Sequence, residues 1–233
     1  MGTTLLRAQI EQKLPLAFTV YRRSERGSIP TGIPQIDDAV EGIPLHALTE
    51  ICGSPMASSG KTSLLTSLLA QASRTHCCAL VDASDSFDPA SGHAAGVHLP
   101  RLLWVRCGKS RVKLPPLEQA FKVADILLQS GGFGLIAVDL SGIGERVVCK
   151  VPLSSWFRFS RVIEKQPAAL VFVEQEPHAT SCAGLVLQVM TESCGLSGNL
   201  LKQFRVQAEI VRGHEKRPVR SEKSGFPLRT QWT

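Results

Sequence analysis

From Gly32 onward, short and nearly all-apolar runs alternate with segments whose apolar residues recur every three or four positions. The runs at 47–52, 78–82, 101–106, 134–139 and 168–173 are too short for helices and are bounded by turn residues, so they read as buried strands. Between them, Leu64, Leu65, Leu68, Leu69 and Ala72 mark the inner face of a helix over 62–73. Leu117, Phe121, Ala124 and Leu128 mark a second helix, and Trp156, Phe157, Phe159, Val162 and Ile163 a third. Residues 36–40 suggest a single helical turn, and two further strands are expected at 183–190 and 204–211. Strands that are apolar on both faces, with helices between them, predict an α/β fold whose mostly parallel sheet carries helices on both sides. Ahead of this pattern lie a helix over 3–13, with Thr3 or Thr4 as cap, a strand over 16–23, and a Ser/Gly/Pro-rich turn at 24–34. That N-terminal pair needs a surface to pack on, which a neighbouring chain could supply.

Composition narrows the class without changing this picture. A chain of 233 residues suits one α/β domain plus a tail, and 43% hydrophobic with 20% charged residues is ordinary for a folded protein. No apolar run reaches membrane-span length, and Arg7, Glu11 and Lys13 interrupt the N-terminus, so the expectation is a cytoplasmic protein with no membrane contact. Seven cysteines, an odd number, include Cys52, Cys78 and Cys107 in or beside strands, which favours reduced apolar thiols over a disulfide framework. Nor do Cys77, Cys78, His93 and His98 have the spacing of a zinc site. The formal net charge is +6, and residues 212–233 hold six Lys/Arg against two Glu. Such a tail either follows a phosphate backbone or merely solubilises a terminus.

The candidate chemistry sits at GSPMASSGKTS, residues 53–63. A phosphate-binding loop needs backbone N–H groups around phosphate, a lysine for the β- and γ-phosphates, and a Ser/Thr hydroxyl for Mg²⁺, all between a strand and a helix. Gly60, Lys61 and Thr62 meet that requirement. The front of the loop is two residues too long and contains Pro55, which has no N–H, while Ala57, Ser58 and Ser59 keep its wall small. Gly53, Ser58, Ser59, Gly60, Lys61, Thr62 and Ser63 are therefore the candidate ATP-binding residues. Asp139, at the end of an apolar strand, is the candidate second Mg²⁺ group alongside Thr62. Asp82 and Asp85, at a neighbouring strand end, are the candidates for activating water.

At these residues the chain resembles the RecA family of recombinases, with a RecA-like P-loop NTPase fold as the implied architecture. IPTGIPQIDDAVEGIPLHALTEICG is similar to the segment leading into that family's P-loop, SSGKTS to its second half, and ALVDASDSFDP to its Asp-Ala-Glu strand. LLQSGGFGLIAVDLSGI resembles the Walker B region, and ALVFVEQEPH resembles the strand carrying the nucleotide-sensing glutamine, which falls on Gln175. The resemblance implies ATP and Mg²⁺ as cofactors, single-stranded DNA as partner, and a role in DNA repair and the SOS response. It also implies head-to-tail packing through the N-terminal segment, with a second copy or a RecA-like subunit.

The departures carry equal weight. Ser84 stands where the family has its water-activating glutamate, so hydrolysis is expected to be slow or absent unless Asp85 substitutes. The region after Gln175, where recombinases bind DNA, is altered, although GLSGNLLKQF keeps a Gly-Asn-x-Leu-Lys similarity. HALTEI and GVHLPRLLWVRC resemble ImuA-type accessory proteins of translesion synthesis, which gives a rival expectation: a non-catalytic adaptor recruiting a translesion polymerase. The expected organisation is an N-terminal oligomerisation segment at 1–30, a nucleotide-binding core at 31–212, and a flexible basic tail at 213–233.

Overall fold

A computed structural model describes residues 27–54, 59–108, 114–197, 200–213 and 224–229, with side chains outside 192–197, 200–205 and 224–229. The N-terminal helix and strand expected at 3–13 and 16–23 lie outside the described residues, as do Pro55 to Ser58 of the loop.

The chain begins with β1 (Ser28–Ile29), α1 (Pro34–Val40) and β2 (Ile43–Pro44), and β1 and β2 form a small antiparallel pair. Then follow β3 (Ala47–Cys52), α2 (Lys61–Ala72), β4 (Cys78–Asp82), α3 (Pro89–Ala94) and β5 (Leu102–Arg106). The second half contains α4 (Pro116–Ser130), β6 (Leu135–Asp139), α5 (Glu145–Val148), α6 (Leu153–Ile163), β7 (Ala169–Glu174), β8 (Leu185–Ser197), β9 (Leu200–Arg212) and β10 (Ser224–Arg229). The main sheet has the order β10-β9-β8-β3-β7-β6-β4-β5. Strands β8, β3, β7, β6, β4 and β5 run parallel, whereas β9 is antiparallel to both of its neighbours.

Alternation along the strands divides the core in two. Ile51, Leu80, Ala137, Val171 and Val173 face α2, whose Leu64, Leu65, Leu68 and Leu69 are buried against them. Leu48, Val81, Ile136, Val138 and Phe172 face α4 and α6 on the other side. There Phe121, Trp156, Phe159 and Phe172 form an aromatic cluster with ring centroids 4.9–5.8 Å apart, at the tilted and edge-to-face angles that aromatic quadrupoles favour. The α/β class with a mostly parallel sheet and helices on both faces is thus as expected.

The last three strands differ from expectation. Strands β8 and β9 are 13 residues each, longer than the predicted 183–190 and 204–211. Residues 191–203 are rich in polar residues and glycine and lack an apolar alternation; what extends them is mutual pairing, interrupted by three register shifts. The segment expected to be a tail supplies β10, which covers the outer edge of β9. Its Pro227 is tolerated because an edge strand leaves one side without a hydrogen-bonding partner. The turn expected at 24–34 likewise contributes β1.

Candidate functional site

Strands β3, β7, β6 and β4 end on one side of the sheet, at Cys52, Glu174, Asp139 and Asp82. Carboxyl ends of parallel strands are where such sheets bind ligands, because the following loops leave backbone groups free there. The extended loop leaves β3 at Gly53 and returns at Gly60, the residue before α2.

Gly60 has φ 86°, and a Cβ on it would stand 2.8 Å from Val206 Cγ2 of β9. Both the left-handed backbone and this close packing demand glycine. A Cβ on Gly53 would meet the Val189 carbonyl of β8 at 2.6 Å and Ser59 Oγ at 2.7 Å. The β8–β9 hairpin therefore walls the loop on both of its described flanks.

Lys61 opens α2 and is only 7% exposed. Its ammonium donates to the carbonyls of Gly53 at 2.6 Å and Glu174 at 3.0 Å. Three donors are available on an ammonium, so one N–H remains for an anion. Burial pushes the Lys61 pKa below the ordinary lysine range, and the Asp139 carboxylate is the largest opposing influence. An incoming phosphate would favour the charged form that burial penalises. Thr62 is exposed beside it, Ser59 is buried and Ser63 half-buried; Ser58 is outside the described residues.

Asp139 is buried, accepting from the Ser141 N–H at 2.9 Å and the Ser86 hydroxyl at 3.2 Å. Gln175 follows Glu174 directly. Its side-chain amide donates to the carbonyls of Ser141 (3.2 Å) and Ile143 (3.1 Å), tying the end of β7 to the turn after Asp139. Lys61, Asp139 and Gln175 are thus joined by a short run of hydrogen bonds through Glu174 and Ser141. The exposed hydroxyl of Thr62 and the carboxylate of Asp139 are oxygen donors of the kind Mg²⁺ takes.

The other acidic candidates are held elsewhere. Asp82 accepts from the N–H groups of Ser84, Ser86 and Phe87 and from the Trp104 indole, so it organises the turn after β4. Asp85 forms a two-point ion pair with Arg106 on β5, the edge strand, and Arg106 also lies over the Trp104 ring at 4.7 Å. Ser84 Oγ is buried without a hydrogen-bond partner, and a Cβ on Gly142 would come within 2.3 Å of it.

A second group of ionisable residues had no counterpart in the motif reading. Glu50 and Glu174 are both fully buried on the same face of β3 and β7. Glu50 Oε1 accepts from the backbone N–H groups of His178 (2.6 Å) and Ala179 (2.7 Å), and Glu174 Oε2 shares a 2.8 Å hydrogen bond with His178 Nδ1. The available signal was a glutamate inside each of the apolar strands ALTEIC and ALVFVE, where a charge needs a partner.

The chain matches the model of the RecA N-terminal domain over residues 18–145. It is 38% identical over 115 residues to a protein named Protein RecA from Methylococcus capsulatus, covering 48% of this chain and 30% of that one. The corresponding protein of Ectopseudomonas oleovorans is 40% identical over 114 residues, again 48% and 30%. That of Rickettsia bellii is 36% identical over 116 residues, 48% and 31%. The match thus spans under a third of the length of these curated relatives.

Proposed function

The chain belongs to the RecA N-terminal domain family, and from that premise we propose that it is a cytoplasmic, RecA-like, ATP-binding and DNA-binding protein of bacterial DNA repair and the SOS response, with slow or absent hydrolysis. The observation that carries this reading is Lys61, buried at the head of α2, with one ammonium N–H beyond its two carbonyl partners and Asp139 as its main opposing charge. The N–H groups at the start of α2 and the Lys61 ammonium would hold the triphosphate, and Thr62 and Asp139 would hold Mg²⁺. Bound Mg²⁺ neutralises phosphate charge; the chain's own contribution is to position the phosphates and to keep water out behind Val206 and the β8–β9 hairpin.

Slow turnover follows from the carboxylates. Asp82 is saturated with donors, Asp85 is paired with Arg106, and Ser84 offers a hydroxyl, which is no base near neutral pH. Gln175 is the element by which occupancy near Lys61 would reach the turn at 141–143 and the segment after β7. Single-stranded DNA is the partner that reading implies, approached through 176–203 and the basic C-terminal residues, with self-association through residues 1–30.

The same Ser84, and a lysine two of whose three donors are already given to carbonyls, favour a second reading, a non-catalytic ImuA-type adaptor for a translesion polymerase or a RecA-like partner. Anisotropy of a labelled single-stranded oligonucleotide, with and without Mg-ATP over a salt series, separates the two. ATP-enhanced, salt-sensitive binding supports the first reading, because phosphate contacts release counterions. No DNA affinity at low salt, in either condition, overturns it.

A further inference from the structure

Among the described residues, Glu50 Oε2 and Glu174 Oε1 are buried carboxylate oxygens with no hydrogen-bond partner. They belong to one cluster. His178 bridges it, giving its backbone N–H to Glu50 and its ring nitrogen to Glu174. The Glu174 main chain faces the phosphate loop as well: its carbonyl accepts from Lys61 at 3.0 Å and from the Gly53 N–H at 3.3 Å. One residue therefore touches the loop with its backbone and, through His178, the segment 176–184 with its side chain.

Two buried carboxylates whose free oxygens lack donors are costly when both are ionised. No three His, Cys, Asp or Glu side chains among the described residues converge as a metal site, and a proton shared by the carboxylates relieves the cost directly. We propose that Glu50 and Glu174 are positioning residues that, bridged by His178, retain a proton between them and so fix segment 176–184 against the phosphate loop. Losing that proton leaves two buried negative charges against a single imidazole. Although each N–H···O bond to Glu50 is stronger when its acceptor is charged, opening segment 176–184 so that water reaches the carboxylates becomes easier, and His178 and Ala179 are exposed more often.

The electrostatics agree with the geometry. Burial pushes the Glu174 carboxyl up to about 7 and moves Glu50 upward too, while the Glu174 hydrogen bond raises His178. Other charged or titratable groups facing the cluster are Lys61 at the head of α2, Arg212 at the end of β9, Glu176, Cys52 and Cys182. Burial pushes both thiols up, so they stay neutral across the range in which the cluster changes. The inference rests on the nucleotide-binding reading only in its consequence: phosphate on the remaining Lys61 N–H would shift the ammonium that the Glu174 carbonyl also holds, and so reach the anchor of the segment.

The test is amide hydrogen exchange in the nucleotide-free protein, corrected for intrinsic rates, at pH 6 and pH 8. Protection at His178 and Ala179 is expected to fall about tenfold in the wild type, the factor that one pK unit represents, and to stay level in Glu174→Gln, which keeps the shape without the charge. His178→Gln, which removes the imidazole and leaves both carboxylates in place, is expected to lower protection at both pH values. Equal wild-type protection at the two pH values overturns the proposal, as does an undiminished pH response in Glu174→Gln. Because no nucleotide is present, failure of ATP binding in a separate titration would sink the functional reading while leaving this result standing.

Discussion

Replacing Asp82 with Asn separates a structural carboxylate from a catalytic one. In the wild type, Oδ1 accepts from the N–H groups of Ser84 and Ser86, both at 3.1 Å, and Oδ2 accepts from Phe87 N–H at 2.9 Å and Trp104 Nε1 at 3.2 Å. Asparagine keeps one acceptor oxygen and turns the other into an NH₂ that faces two donors. Two hydrogen bonds to a charged acceptor are lost in a fully buried place, and each such bond contributes about 1.5–3 kcal/mol. The expected destabilisation is therefore about 4 kcal/mol, a large share of the total stability of a domain. Urea unfolding followed by circular dichroism measures it, and a Mg-ATP titration of the folded variant accompanies it. The reasoning predicts a large loss of stability with nucleotide affinity retained once the protein is folded. A stability change under about 1 kcal/mol, with ATP turnover reduced, would show that Asp82 serves the chemistry instead.

Three further outcomes follow from the same packing and electrostatics. Glu174, raised from 4.5 to about 7, stabilises the fold in its protonated form, a contribution complete below pH 4.5 and lost as pH rises through 7. Unfolding free energy should thus decline by up to about 3 kcal/mol between pH 5 and pH 8, and by less in Glu174→Gln; a flat wild-type profile contradicts this. Trp156→Ala removes a 1%-exposed ring that lies 4.9 Å from Phe172 and 5.3 Å from Phe121, and thermal unfolding should register a loss of about 3–5 kcal/mol, with less than 1.5 kcal/mol arguing against a packed aromatic core. Asp85→Ala, which breaks a pair at the sheet edge, should leave the Mg-ATP affinity within about twofold, less than a kcal/mol, and a tenfold loss would place Asp85 in the nucleotide site.

Much of the architecture can be read locally because its causes are local. The five apolar runs appear as β3, β4, β5, β6 and β7 within a residue or so at each end, and α2 buries the same leucines that its spacing marks. Lys61 opens α2 after a loop that leaves a buried strand, and Asp139 closes β6, each at a boundary that glycine or turn residues mark in the sequence. What escapes the sequence depends on distant pairing. Residues 191–197 and 200–203 form strand only because each supplies the other's hydrogen bonds, and Ser224–Arg229 joins the sheet only because β9 leaves an edge to cover. Glu50 and His178 are 128 positions apart, so nothing near either one discloses that a glutamate in ALTEIC anchors the segment after β7. The same holds for Lys61, whose second carbonyl partner comes from a strand 113 positions away. Asp85 illustrates the converse: its place in the sequence suggested a base, and its left-handed backbone and the Arg106 guanidinium turn it to the sheet edge instead.

The claim on which the rest depends is that the buried ammonium of Lys61 has a donor left for phosphate. Isothermal titration of the wild-type chain and of Lys61→Ala with Mg-ATP tests it directly. The account predicts a saturable one-site isotherm for the wild type and at least about a tenfold weaker one, 1.4 kcal/mol or more, for the variant. No heat of binding in the wild type, or the same isotherm in both proteins, would contradict it.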